Sequence, residues 1–217
     1  ISDYWIKAQK LICNKNPKKI YFLKTHNAQI KHNSNVFTNH KFTRGFIYVV
    51  RDPRSIPISM QFHFKSKNII DAKEKLLSDK HIAYALDNRV PEFLLSWKTH
   101  YLSWLNFLHT YPELGLIIKY EDMVQEEEET FLKIVNFINT KTNTNFDKTK
   151  FYNSLKSIKF NTLQEKENIY GFEEKPDHSN KFFRKGLVDE WKNNLSKNIQ
   201  LEIEKNFAKE MLKLGYL

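Results

Sequence analysis

Apolar positions along the chain come in two spacings. Residues 20–24 (IYFLK), 46–50 (FIYVV) and 114–119 (LGLIIK) are short apolar runs that end on, or next to, a basic residue. Runs of this length that do not alternate with polar residues predict strands buried on both faces. The other apolar residues recur at helical spacing. Within residues 92–109, Leu94, Trp97, Tyr101, Trp104, Leu105 and Leu108 share one face; Phe131, Ile134, Val135 and Ile138 share another. Ile203, Phe207, Met211 and Leu214 form a third stripe, closed by Gly215 where a left-handed cap belongs. These stripes predict core-facing helices, with the tryptophans as core residues.

Strands alternating with helices predict parallel strands joined by helical crossovers, an α/β fold whose central parallel sheet is flanked by helices. Ligands of such sheets bind beyond the carboxyl ends of the strands, so Lys24, Arg51 and Lys119 are expected along one edge. After residues 46–50 the sequence RDPRSIPIS predicts a helix with Asp52 as cap and Pro53 in its first turn, or a later or kinked start at Pro57. The acids Glu126 to Glu129 suit the positive end of a helix dipole, and residues 165–180 read as a long mobile loop. No internal repeat is visible, and the expectation is one domain over residues 1–217.

Composition narrows the class. With 217 residues, 41% hydrophobic and 14% aromatic, the chain can fill a core, which excludes wholesale disorder. Thirty-five basic against 25 acidic residues leave a charge of +10, which favours anionic partners or reflects only a lysine-rich composition. The single Cys13 excludes an internal disulfide and reads as a packing residue. No stretch approaches the roughly 18 consecutive apolar residues of a membrane span, and no signal peptide opens the sequence, so a cytoplasmic protein without a membrane span is expected.

Four stretches carry candidate chemistry. FLKTHN places Lys24 and His26 on one side of a strand end, a cation and a base that otherwise read as ordinary structural residues. Arg51 can fork onto a phosphate that the Ser59 hydroxyl also reaches, or make a surface ion pair with Asp52. KYEDM joins a strand end to Tyr120 and two acids, Glu121 and Asp122, the latter a plain helix cap on local grounds. FFRKGLVDEWK sets Arg184, Lys185 and the backbone of Gly186 together, either a phosphate clamp or a surface cluster.

In this order the four stretches resemble the PAPS-dependent sulfotransferases of the cytosolic type, over nearly the whole length. That family carries a KTH strand end, an arginine followed eight residues later by a serine, a YEDM segment, and RKG before a Trp-Lys pair, here Trp191 and Lys192. The resemblance implies a P-loop nucleotide-kinase-like α/β topology and transfer of a sulfuryl group from PAPS to the hydroxyl or amine of a small acceptor. PAP would be the product and no metal is expected; nucleic-acid binding by the basic surface is the least favoured alternative, because the cations cluster at strand ends and no RNA- or DNA-binding module is recognised, so no nucleic acid is expected as partner. It implies His26 as general base and Lys24 as the cation on the group in transfer. Arg51, Ser59, Arg184, Lys185 and the Gly186 N–H would hold the 3′-phosphate, and Tyr120 the adenine. Phe160 would stack on that ring or occupy an ordinary core position.

The match breaks in places. None of the five glycines, Gly45, Gly115, Gly171, Gly186 and Gly215, neighbours a Lys-Ser or Lys-Thr pair, so the family's phosphosulfate-binding turn has no counterpart here. The expectation is therefore a chain short of its first strand-loop-helix unit, with a non-catalytic PAP-binding remnant as the alternative to a transferase. Residues 187–190 read LVDE where the family has Gly-Asp, which leaves the backbone of that clamp open.

Overall fold

The computed structural model describes residues 1–63, 66–83, 90–175 and 181–217. In chain order its elements are α1 (Trp5–Lys15), β1 (Lys31–His32), β2 (Asn35–Val36), β3 (Phe46–Val50), α2 (Ile56–His63), α3 (Ile69–Leu77), β4 (Ile82–Ala83), β5 (Glu92–Phe93) and α4 (Trp97–Thr110). There follow β6 (Gly115–Lys119), α5 (Tyr120–Gln125), α6 (Glu127–Thr142), α7 (Lys148–Ser157), α8 (Phe160–Tyr170), α9 (Trp191–Asn194) and α10 (Lys197–Leu214). β3 and β6 pair in a parallel sheet with helices about it, as the alternating pattern predicts; β1–β2 and β4–β5 are short antiparallel ladders. The chain divides into two compact units, residues 1–48 with 75–117, and residues 49–74 with 118–217.

The first unit is built on aromatic rings. Trp97, Tyr101 and Trp104 lie on the buried face of α4, as their spacing predicts, and Phe107 completes it where Leu105 and Leu108 were expected and are only half-buried. Trp5 meets Phe37 and Phe93 edge-on at 5.5 and 5.6 Å, and Phe46 lies 4.8 Å from Trp104. Burying aromatic side chains supplies a large apolar payload, and edge contacts add to it. The helix is shorter than residues 92–109. The chain turns at Leu95 (φ 57°), and the Ser96 hydroxyl accepts the Thr99 N–H at 3.1 Å as N-cap. Leu94 therefore stands outside the helix, and residues 92–93 pair as β5 instead.

Two other expectations change in this unit. Residues 20–24 form no strand among the described residues, and Phe22 and Leu23 are exposed. Apolar content alone does not make a strand, which needs a ladder partner. Cys13 is exposed on α1, because the helix turns Trp5 inward instead.

The core of the second unit gathers Val50, Ile118, Phe151, Leu155, Ile203, Phe207 and Met211. α10 presents the predicted stripe and ends on Gly215 at φ 75°. Val49 is half exposed, so β3 is not buried on both faces there. α6 opens on Glu126 with Glu127, Glu128 and Glu129 in its first turn, as the dipole favours. The segment after Arg51 first makes a turn and becomes helical only at Ile56, so Pro57 sits where no helical N–H is required. Residues 165–170 of the expected loop belong to α8, and 176–180 lie outside the described residues.

Candidate functional site

At the carboxyl ends of β3 and β6 a polar network replaces simple helix capping. Asp52 accepts from the Arg54 backbone N–H at 2.9 Å and from the Arg54 guanidinium at 2.7 Å, both residues being buried. Arg54 also donates to Glu204 at 2.8 Å and to the Tyr216 carbonyl at 2.7 Å, and lies 3.8 Å over the Trp191 ring. The ion pair of this turn is thus Arg54 with Asp52, where an Arg51 pairing was the expected alternative. Glu121 accepts the Asp52 backbone N–H at 3.0 Å and the Tyr216 hydroxyl at 2.8 Å. Burial beside Glu121 pushes the Tyr216 phenol far above its ordinary value. Lys119, not Asp122, is the N-cap of α5, and among the described residues Asp122 pairs with Lys119 at 3.3 Å.

This frame sets the neighbours of Asp52 and Glu121, which are Arg51 and Tyr120. The Arg51 guanidinium lies 4.3 Å above the Tyr120 ring, and its Nη2 donates to the Leu187 carbonyl at 3.3 Å. Arg51 is thereby joined to the loop that carries Arg184, Lys185 and Gly186.

That loop lies along α8. The buried Glu167 accepts the backbone N–H groups of Phe182 and Phe183, the latter at 2.9 Å, and Gln164 donates to the Phe183 and Arg184 carbonyls at 2.8 and 3.3 Å. Gly186 takes φ 62°, and a Cβ there would stand 2.5 Å from Cδ2 of Phe160, so the half-buried ring is seated against the glycine backbone. Arg184 rests 4.2 Å over the Phe62 ring on α2, one turn beyond the half-buried Ser59. Glu190, which sequence reasoning missed, takes both cations: Arg184 Nη1 donates to it at 2.8 Å, Arg184 Nη2 donates to its other oxygen, and Lys185 donates at 2.9 Å. The Arg184 hydrogen bonds, with Lys185 behind them, hold its carboxyl down at about 2. The signal was the acidic pair at 189–190 beside the basic pair at 184–185.

Arg51, Tyr120, Phe160, Arg184, Lys185 and Gly186 thus belong to one connected set in the second unit, with Ser59 a turn from it. The donors suit a phosphate monoester and the two rings suit a flat base. A cavity of about 400 Å³ in the same unit is lined by Asp52, Arg54, Glu121, Trp191 and Tyr216, among others, and by none of Phe160, Arg184, Lys185 or Gly186. It therefore adjoins the supporting network and not the clamp.

Lys24 and His26 lie in the first unit, both exposed. The backbone around them is well held. Asn27, buried, accepts the Phe93 N–H at 2.9 Å through its side chain and the Trp104 indole N–H at 3.1 Å through its carbonyl. His100 Nε2 lies 3.1 Å from the His26 carbonyl and its Nδ1 lies 2.9 Å from the Tyr48 hydroxyl. Burial pushes the His100 imidazole down and the Tyr48 phenol well up, so both are neutral. The tautomer follows: Tyr48 donates to Nδ1, and the Nε2–H donates to the His26 carbonyl.

Comparison with known proteins adds relatives. A family model described as "Sulfotransferase domain" matches residues 6–215. Sulfotransferase 2A2 of Mus musculus is 26% identical over 180 residues, covering 79% of this chain and 60% of the relative. Its namesake from Rattus norvegicus is 28% identical over 172 residues, with 76% and 55% covered, and a 3-alpha-hydroxysteroid sulfotransferase of Cavia porcellus is 26% identical over 171, with 72% and 55% covered. The chain spans 55 to 61% of the length of the curated relatives it matches. Among solved structures, mouse sulfotransferase SULT7A1 complexed with PAP superposes with TM-score 0.58 at 22% identity, covering 84% of this chain and 63% of the other. Retinol dehydratase with androsterone and PAP gives 0.65 at 18% identity, with 93% and 56% covered. These two likenesses establish the α/β sulfotransferase fold.

Proposed function

The chain belongs to the sulfotransferase domain family, and on that premise we propose that the protein transfers a sulfuryl group from PAPS to the hydroxyl or amine of a small acceptor. When bound, PAPS supplies the sulfuryl group. Arg51, Ser59, Arg184, Lys185 and the Gly186 N–H hold its 3′-phosphate, and Tyr120 and Phe160 flank its adenine. His26 takes the proton of the acceptor as its oxygen or nitrogen attacks, and Lys24 balances the negative charge that builds on the group in transfer. The observation that carries this reading is the joined set in the second unit, Arg51 over Tyr120 and tied to Leu187, with Phe160 against Gly186.

Hydroxysteroids are the first acceptors to try, since relatives of this chain are named as hydroxysteroid sulfotransferases. Among the described residues no helix is long and apolar enough to cross a membrane, and a cytoplasmic site of action is part of the proposal. The test is PAPS-dependent sulfation of hydroxysteroids, phenols and simple sugars, read by mass. Transfer is expected, and His26→Ala should lower kcat by roughly 10²- to 10⁴-fold with PAP affinity unchanged. The absence of both transfer and PAP binding would overturn the proposal. PAP binding without transfer would favour the second reading, a nucleotide-binding protein without turnover.

A further inference from the structure

We propose that Glu190 is the affinity-setting residue of the Arg184–Lys185 clamp: its carboxylate occupies the nitrogens a phosphate monoester would take, and the phosphate binds by displacing it. This rests on the reading of that loop as the seat of the nucleotide 3′-phosphate.

One carboxylate collects three cationic nitrogens, Nη1 and Nη2 of Arg184 and Nζ of Lys185. The Arg184 fork is the same pair of N–H groups that recognises phosphate. Side-chain exposure is 7% for Glu190, 24% for Arg184 and 48% for Lys185, so the carboxylate is the most buried of the three and an arriving anion reaches the cations first. Glu190 cancels one of the clamp's two positive charges. Its carboxyl is ionised at neutral pH, held so first by the Arg184 hydrogen bonds.

Displacement does not dismantle the clamp. The Arg184 guanidinium also rests on the Phe62 ring, and the loop backbone is fixed by Gln164 and Glu167, neither of which involves Glu190. A phosphate monoester brings three oxygens and close to two charges against the carboxylate's two oxygens and one, so it wins the exchange at the cost of leaving a buried carboxylate short of partners. That cost is what weakens binding.

The test is titration calorimetry of PAP and of 5′-AMP, which has no 3′-phosphate, against the wild-type chain, Glu190→Gln and Glu190→Asp. Glu190→Gln should bind PAP roughly tenfold more tightly and leave 5′-AMP within about twofold. Glu190→Asp, one methylene shorter and less able to reach both cations, should gain less than Gln but in the same direction, which keeps the question answerable should the Gln variant not fold. Unchanged or weaker PAP binding by the variants, with the wild type still preferring PAP to 5′-AMP, would mean that Glu190 merely supports the clamp and would overturn this inference alone. If no form prefers PAP, the assignment of the loop to the 3′-phosphate fails and the inference with it.

Discussion

Gly186→Ala tests the loop geometry most directly. At φ 62° any residue with a Cβ pays about 1–2 kcal/mol for the left-handed conformation. The new methyl would also stand 2.5 Å from Cδ2 and 2.6 Å from Cε2 of Phe160, about 1 Å inside ordinary carbon contact, so the ring must shift. Overpacking of this kind costs about 1–3 kcal/mol, and because Phe160 is only half-buried the lower end applies. The expected loss is therefore about 2–3 kcal/mol, read as a lower urea midpoint at unchanged m-value, with weaker PAP binding because the Gly186 N–H moves with the loop. A double-mutant cycle separates the two parts. In a Phe160→Ala background the clash is gone and only the backbone cost of about 1–2 kcal/mol remains. A Gly186→Ala protein within about 0.5 kcal/mol of wild type, or one whose loss is the same with and without the ring, would refute the reasoning.

Arg54→Met should destabilise by about 3–5 kcal/mol in urea unfolding, because it strands the buried Asp52 carboxylate and removes the bonds to Glu204 and the Tyr216 carbonyl; a loss under about 1 kcal/mol would mean that the network is not built as described. Glu190 makes stability depend on acid. Its folded value of about 2 lies below the ordinary 4.5, so its contribution is present above about 4.5 and is lost as pH falls toward 2. Chemical denaturation between pH 5 and pH 3 should show a shallower pH slope in Glu190→Gln than in the wild type, and equal slopes would count against the ion pair.

What could be read from the sequence was whatever a local period encodes. α4, α6 and α10 announce themselves through stripes such as Ile203, Phe207 and Met211, which mirror burial, and β3 and β6 through continuous apolar runs, although Val49 of β3 is half exposed. Residues 20–24 carry the same apolar signal without becoming a strand, since strand formation depends on a neighbour and not on the run itself. Arg184-Lys185-Gly186 stood out as a motif, whereas the carboxylate that pairs with its two cations was marked only by the neighbouring acidic pair at 189–190. Glu190 and Glu167 are ordinary acids until the loop folds back, and their partners lie five to six and fifteen to sixteen residues away, distances no helical or strand period marks. The same holds for His100, which sits on the apolar side of α4's sequence as an unremarkable polar residue yet ends against a carbonyl 74 positions earlier.

That last contact has a consequence for how this protein can vary. His100 grips residue 26 by its carbonyl, and Asn27 secures the next peptide to Phe93 and Trp104; the described bonds in this stretch engage the main chain at 26, not its ring. Position 26 is therefore a socket, held by groups that would hold any amino acid equally well. The imidazole can be exchanged without unhooking the peptide that carries it, so the residue at this position can change while the architecture around it persists.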